Sequence, residues 1–159
     1  MKSKFLFFLG GIILVLSLLP LMRSKPPSIP WTRNAETAFT RAEKDGKAVV
    51  AYLYTDWCGY CRQMDNTTFK DPDLIQQLSG QFTWLRLNPE KEEAGRSLQQ
   101  RFGVSGFPTV LILNSNGREL DRIQGYVPAS RFLIMMQSLL NNDQEIVLSP
   151  TPLKEGDPS

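Results

Sequence analysis

Apolar positions along the chain change period several times, and the changes mark out its elements. Ala35, Ala38, Phe39 and Ala42 recur at i, i+3, i+4 and i+7 behind Asn34. That spacing predicts an amphipathic helix, capped by Asn34 and ending near Asp45-Gly46. Ala48 to Tyr54 is a continuous apolar run, the signature of a strand buried on both faces. Thr55-Asp56-Trp57 then turns into a helix that starts at Cys58 or Gly59 and reaches about Asp65. Asp71-Pro72 is a cap followed by proline at the first helical position, opening a short helix through Leu78. Phe82 to Leu87 reads as a strand and Glu92 to Phe102 as a polar-faced helix. Thr109–Leu113 and Glu119–Gln124 flank Asn114-Ser115-Asn116-Gly117, a hairpin signal. Ser130 to Leu140 closes the pattern as an amphipathic helix carrying Phe132, Leu133, Met136, Leu139 and Leu140. Strand–helix alternation followed by a terminal hairpin predicts an α/β fold, with a central mixed sheet and helices on both faces.

The ends of the chain do not share this pattern. Phe5 to Met22 is uncharged, lies between Lys4 and Arg23, and as a helix would measure about 27 Å at ~1.5 Å per residue. Residues 1–23 therefore read as a signal anchor, with Lys2 and Lys4 on the cytoplasmic side and the domain outside, in a periplasm or lumen. The rival is a cleaved signal peptide, which would leave the protein secreted, but Leu18 to Arg23 offers no small-residue cleavage site. Residues 24–30, with Pro26, Pro27 and Pro30, read as an extended spacer standing off the membrane. Residues 143–159 carry Pro150, Pro152 and Pro158 and read as a disordered tail. The folded unit is then 31–142.

Charge and composition narrow the chemistry. Between Trp31 and Asp143 there are 13 basic and 13 acidic residues, so no concentrated positive charge invites nucleic acid. Histidine is absent from the 159 residues, which removes Ser-His-Asp and Cys-His catalysis. The two cysteines cannot complete a four-cysteine zinc site within one chain. Nothing else in the pattern implies a metal or an external cofactor, and a monomer is expected.

Cys58-Gly59-Tyr60-Cys61 remains. Two intervening residues let both thiols sit on the first turn of one helix, close enough to form a disulfide. The helix N-terminus favours the thiolate of the first cysteine. Cys58 is thus the expected nucleophile at an exposed mouth, and Cys61 the shielded residue that resolves the mixed disulfide. A purely structural disulfide is the alternative, but so short a loop removes little chain entropy.

The strand Val49–Tyr54, then Trp57-Cys58-Gly59-Tyr60-Cys61 opening a helix, then Gly106-Phe107-Pro108-Thr109 before a strand, resembles the thioredoxin superfamily over roughly Lys47 to Leu140. Asp56-Trp57-Cys58 with Thr68-Phe69-Lys70-Asp71-Pro72 resembles membrane-tethered extracytoplasmic thioredoxin-like proteins and the C-terminal domain of DsbD-type disulfide-interchange reductases. The resemblance implies a thioredoxin fold and a protein-disulfide oxidoreductase whose only redox group is the Cys58–Cys61 pair. It further implies a cis Pro108 facing the cysteines, a Phe107 main chain that pairs with an incoming substrate strand, and Gly125 lining the same groove. Trp57 would shelter the disulfide, with Gly59 and Tyr60 completing the substrate-binding surface. Partners would be protein thiols and disulfides, together with an upstream membrane or soluble electron donor. The Gly59-Tyr60 dipeptide lacks the histidine of strongly oxidising relatives, which points to a reductant or isomerase. A partner-binding module, or a dedicated reductant of a haem- or metal-receiving cysteine pair, are the alternative functions.

One position departs from the pattern. Thioredoxins commonly place a buried acid six residues before the first cysteine, and here that residue is Tyr52. A phenol is a poor base near neutrality, so the proton relay falls to water or Asp56, or is absent. Arg86 stands where a lysine is often found and reads as a surface or partner-contact charge. Glu90-Lys91-Glu92-Glu93 reads as a solvated face.

Overall fold

A computed structural model describes residues 27–148. In chain order the elements are α1 (Ala35–Asp45), β1 (Val49–Leu53), α2 (Gly59–Asn66), a 3-10 turn (Thr68–Lys70), α3 (Pro72–Leu78), β2 (Thr83–Leu87), α4 (Glu93–Arg101), β3 (Thr109–Leu113), β4 (Glu119–Gln124) and α5 (Ala129–Leu148). The four strands form one sheet in the order β2-β1-β3-β4. β1 pairs parallel with β2 and antiparallel with β3, which pairs antiparallel with β4. The mixed α/β sheet expected from sequence is therefore the observed one.

Caps set the helix ends as the sequence implies. The Asn34 side chain accepts the Thr37 N–H, and Gly46 closes α1 with a φ of 63°. Asp71 accepts the Leu74 N–H ahead of Pro72. Every residue of β1 is buried, and its side chains divide between two cores. Val49, Ala51 and Leu53 face Ala38 and Ala42 of α1 and Leu98 of α4. Val50 and Tyr52 face the other way, into a core with Cys61 and Met64 of α2, Leu74 of α3 and Phe132 of α5. This strand alternation places α2 against a dense aromatic group of Trp31, Tyr52, Phe69, Trp84 and Phe132.

Three features at the ends differ from expectation or fall beyond view. Ile29, assigned to the stand-off spacer, is only 5% exposed and belongs to the core. Thr32 bridges to Leu85 on the outer edge of β2, where the Thr32 N–H donates to the Trp84 carbonyl and its own carbonyl accepts from Arg86 N–H. An apolar side chain and a free strand edge together outweigh the extended tendency of the prolines. At the other end α5 continues past Asn142 to Leu148, into the segment read as a tail. The Phe5–Met22 run read as an anchor lies outside the described residues, and so do residues 149–159. Among the described residues, no helix is long and apolar enough to cross a membrane.

Candidate active site

The end of β1 delivers the cysteine pair. Past Leu53 the chain stays tied to the sheet through Tyr54 N–H to the Leu87 carbonyl. It then turns at Thr55, whose carbonyl accepts the Cys58 N–H at 3.3 Å. Cys58 is the N-cap of α2, with extended backbone, and its Sγ accepts the Cys61 N–H at 3.0 Å. A sulfur in this position meets the unsatisfied N–H groups and positive dipole end of the helix, which stabilise negative charge. Cys58 and Cys61 are joined as a disulfide with their Cα atoms 5.2 Å apart. The contrast in exposure expected from sequence is slight in this oxidised state, at 4% for Cys58 and 1% for Cys61. Position along the helix, and not exposure, separates the two sulfurs.

Around this buried disulfide stands an exposed aromatic rim. Trp57 is 66% exposed and Tyr60 65%. Trp57 meets Phe107 edge-to-face, with ring centroids 6.3 Å apart. The Phe107–Pro108 peptide is cis, and the Pro108 carbonyl accepts the Gly125 N–H at 2.8 Å. Gly125 has a φ of 80°, a left-handed conformation that a side chain disfavours. At Gly59 a Cβ would meet only the flexible end of Arg62, so packing does not demand glycine there. The structure thus joins Trp57 to Phe107 and Pro108 to Gly125, while Tyr60 stands free on the first turn of α2.

Several residues read as bystanders prove to be attached to the site. The segment after β2 folds back along the Asp56–Trp57 turn. Glu90 Oε1 accepts the Trp57 indole N–H at 2.9 Å, Lys91 pairs with Asp56, and Asn88 Nδ2 donates to Asp56 at 3.3 Å. Glu92 accepts the Asn88 N–H and pairs with Arg33. Three of the four residues read as a solvated face therefore fix the active-site turn.

Arg86 is a second correction. Its guanidinium forks onto Asp65 at 2.9 and 2.7 Å, and lies 4.1 Å from the centroid of Tyr54 and 5.3 Å from that of Tyr52. Arg86 and Tyr52 are register partners on β2 and β1, so the arginine points under α2 and not to the surface. Asp65 follows Cys61 by four residues, one helical turn. Those two spacings are the signal that sequence reasoning passed over.

Tyr52 itself is fully buried, and its hydroxyl donates to the Cys61 carbonyl at 3.3 Å. Burial raises its pKa, and the neighbouring Asp65 carboxylate raises it further. The phenol is thus a neutral donor, not a base. Asp56 lies at the surface with its carboxyl held below the usual range, first by the hydrogen bond from Lys91.

A thioredoxin-like sheet carrying a Cys-x-x-Cys disulfide at a helix N-terminus defines a class of proteins, and the comparisons agree. Residues 35–140 match the thioredoxin-like domain family, and the chain belongs to it. It is 37% identical over 97 residues to the thiol:disulfide interchange protein DsbD of Haemophilus ducreyi, and 35% over 101 residues to that of Tatumella citrea. These matches span 59% and 62% of this chain but 17% of each relative, so the chain corresponds to about a sixth of their length. Among solved structures, a thioredoxin from Thermus thermophilus superposes with a TM-score of 0.63 at 27% identity, over 71% of this chain and 88% of that one. The oxidised C-terminal domain of DsbD from Neisseria meningitidis shares the fold, with a TM-score of 0.56 at 24% identity over 65% of this chain and 90% of that domain.

Proposed function

We propose that this chain is a thiol–disulfide oxidoreductase that reduces disulfides in protein substrates outside the cytoplasm, tethered through residues 1–23. The observation that carries this reading is the Cys58 sulfur, which caps α2 by accepting the Cys61 N–H, inside an exposed aromatic rim.

In the reducing direction the steps balance as follows. The Cys58 thiolate attacks one sulfur of a substrate disulfide. That bond breaks, a Cys58–substrate disulfide forms, and the displaced thiolate takes up a proton. The Cys61 thiolate then attacks the Cys58 sulfur, closing the Cys58–Cys61 bond and releasing the second substrate thiol. Two electrons pass from the dithiol to the substrate, and a separate dithiol donor must restore them. Trp57, Tyr60 and Phe107 would offer apolar surface to the substrate around its cysteine, with the Phe107 main chain and Gly125 beside it. Thiol:disulfide interchange in the names of the relatives supports the same chemistry.

Substitution of each cysteine tests the assignment. Cys58→Ser should abolish reduction of a protein disulfide. Cys61→Ser should accumulate mixed disulfides, visible as larger bands on a non-reducing gel that collapse with reductant. Trapping by Cys58→Ser instead, or by neither variant, would overturn the assignment and favour a binding module. Resistance of the full-length chain to carbonate extraction, with Cys58 labelled by an impermeant reagent in intact spheroplasts, checks the tether and its orientation.

A further inference from the structure

Two carboxylates flank the cysteine pair along the chain, and each is matched by its own cation. Asp56, two residues before Cys58, pairs with Lys91 at the surface. Asp65, four residues after Cys61, takes the fork of Arg86. The two pairs are not equivalent. The side chains of Asp56 and Lys91 are 54% and 63% exposed, so solvent and salt already weaken the field of Asp56. Those of Asp65 and Arg86 are only 22% and 23% exposed, and charges act further in such partly buried surroundings.

Asp65 and Cys61 are i, i+4 neighbours on α2, which places them one above the other on the same helix face. An unmatched carboxylate there would oppose ionisation of the Cys61 thiol, the event that must precede its attack on the mixed disulfide. Resting on the exchange reaction proposed above, we infer that Arg86 is a positioning residue of that reaction, neutralising Asp65 so that its carboxylate does not oppose ionisation of Cys61.

Three contacts hold Arg86 to this task. Its fork is bidentate, its face lies against Tyr54, and its strand is paired with β1. Several other polar or charged groups around α2 bind elsewhere. Tyr52 donates to the Cys61 carbonyl, Arg33 donates to the Tyr54 hydroxyl, and Arg62 donates to the Asp56 carbonyl. Lys70 donates to Asn66, and the Tyr126 hydroxyl meets that of Thr67. Among the described residues Arg86 alone grips Asp65 through an ion pair.

The test reads Cys61 alone, in full-length Cys58→Ser protein, where it is the sole cysteine. Its rate of alkylation by iodoacetamide is followed by mass spectrometry against pH, with a thermal melt of each variant as the check on folding. Adding Arg86→Gln should raise the alkylation midpoint by about one pH unit, a tenfold loss of thiolate at a fixed pH below it. Arg86→Gln with Asp65→Asn should return the midpoint to within about 0.3 unit of the starting protein. Arg86→Lys, which keeps the charge, should leave it there too. An Arg86→Gln variant that melts earlier but keeps the midpoint would make the pair purely structural and overturn the inference, as would a double variant that fails to restore it. Should Arg86→Gln not fold, Asp65→Asn alone must lower the midpoint, and an unchanged or raised value would overturn the inference. No substrate enters this measurement, so failure of the exchange reaction itself is read separately, from the trapping experiment.

Discussion

The Tyr52 hydroxyl donates to the main-chain carbonyl of Cys61 across 3.3 Å, from the central strand to the helix that carries the disulfide. Where an acid would offer a proton acceptor, this chain has a donor, and it grips the backbone of the second cysteine. Tyr52 is also ringed by Trp31, Tyr54 and Phe69, so the position serves packing and orientation together.

Removing only that hydroxyl should therefore be mild but measurable. Tyr52→Phe is expected to cost about 0.5–1.5 kcal/mol in denaturant unfolding, the net worth of one hydrogen bond. Tyr52→Asp is a different matter. It empties much of an aromatic site and brings a second carboxylate beside Asp65, for a loss of about 3–5 kcal/mol. A cost for Tyr52→Asp no greater than that for Tyr52→Phe would show that the ring contributes little.

Glu90 fixes the rim and not the core. Its hydrogen bond to the Trp57 indole is exposed, so Glu90→Ala should change stability by less than about 0.5 kcal/mol. Trp57 should become more mobile, raising quenching of its fluorescence by neutral acrylamide in a protein whose other tryptophans, Trp31 and Trp84, are half-buried and buried. Glu90→Gln keeps an acceptor oxygen and should quench like the parent.

Gly95 reverses the usual helix rule. Glycine to alanine within a helix ordinarily stabilises by up to about 1 kcal/mol. A Cβ at position 95, however, would stand 3.1 Å from the Pro89 backbone, and a backbone cannot swing aside like a side chain. Gly95→Ala should therefore destabilise by about 1–3 kcal/mol, read from the denaturation midpoint.

The Asp56–Lys91 pair should leave a pH signature that salt erases. Asp56 has a folded pKa below its unfolded value, so its stabilisation is full above about pH 4 and is lost as pH falls through the folded pKa. Lys91 is raised, so its share is full below about pH 10.5 and is lost as pH rises through the folded value. The melting-point difference between the parent and Asp56→Asn should be largest between these limits, and should shrink at pH 3 and in 1 M salt at about pH 7. A difference that persists in high salt would point to a non-electrostatic role for Asp56.

What could be read in the sequence, and what could not, divides by the range of the interaction. Asn34, Gly46 and Asp71-Pro72 act on their own helices, so the ends of α1 and the start of α3 were legible from neighbours in the chain. The apolar run of β1 announced a central strand for the same reason. Asp65 and Arg86 are 21 positions apart, and Trp57 and Glu90 are 33 apart. They meet only because parallel pairing brings β2 beside β1 and folds the next segment over the active-site turn. No local pattern carries such a meeting, and a charge run like Glu90–Glu93 reads as solvated until its partners are in place. Ile29 was hidden differently, since one apolar residue among prolines has no period to betray it.

That residue and its neighbours have a consequence for how molecules of this protein keep apart. The two margins of the sheet are guarded by opposite means. β4 presents Glu119, Asp121, Arg122 and Gln124, and charge repels a strand that would add to it. β2 is Thr-Trp-Leu-Arg-Leu, a segment with the composition of an aggregation template, and the chain covers it with its own backbone at Thr32. Removing the residues up to Thr32 would spare every helix and strand among the described residues, yet release the Trp84 carbonyl and the Arg86 N–H to the strand of another molecule. The few residues ahead of α1 thus act as a selvedge, the bound edge that keeps one sheet from being woven into the next.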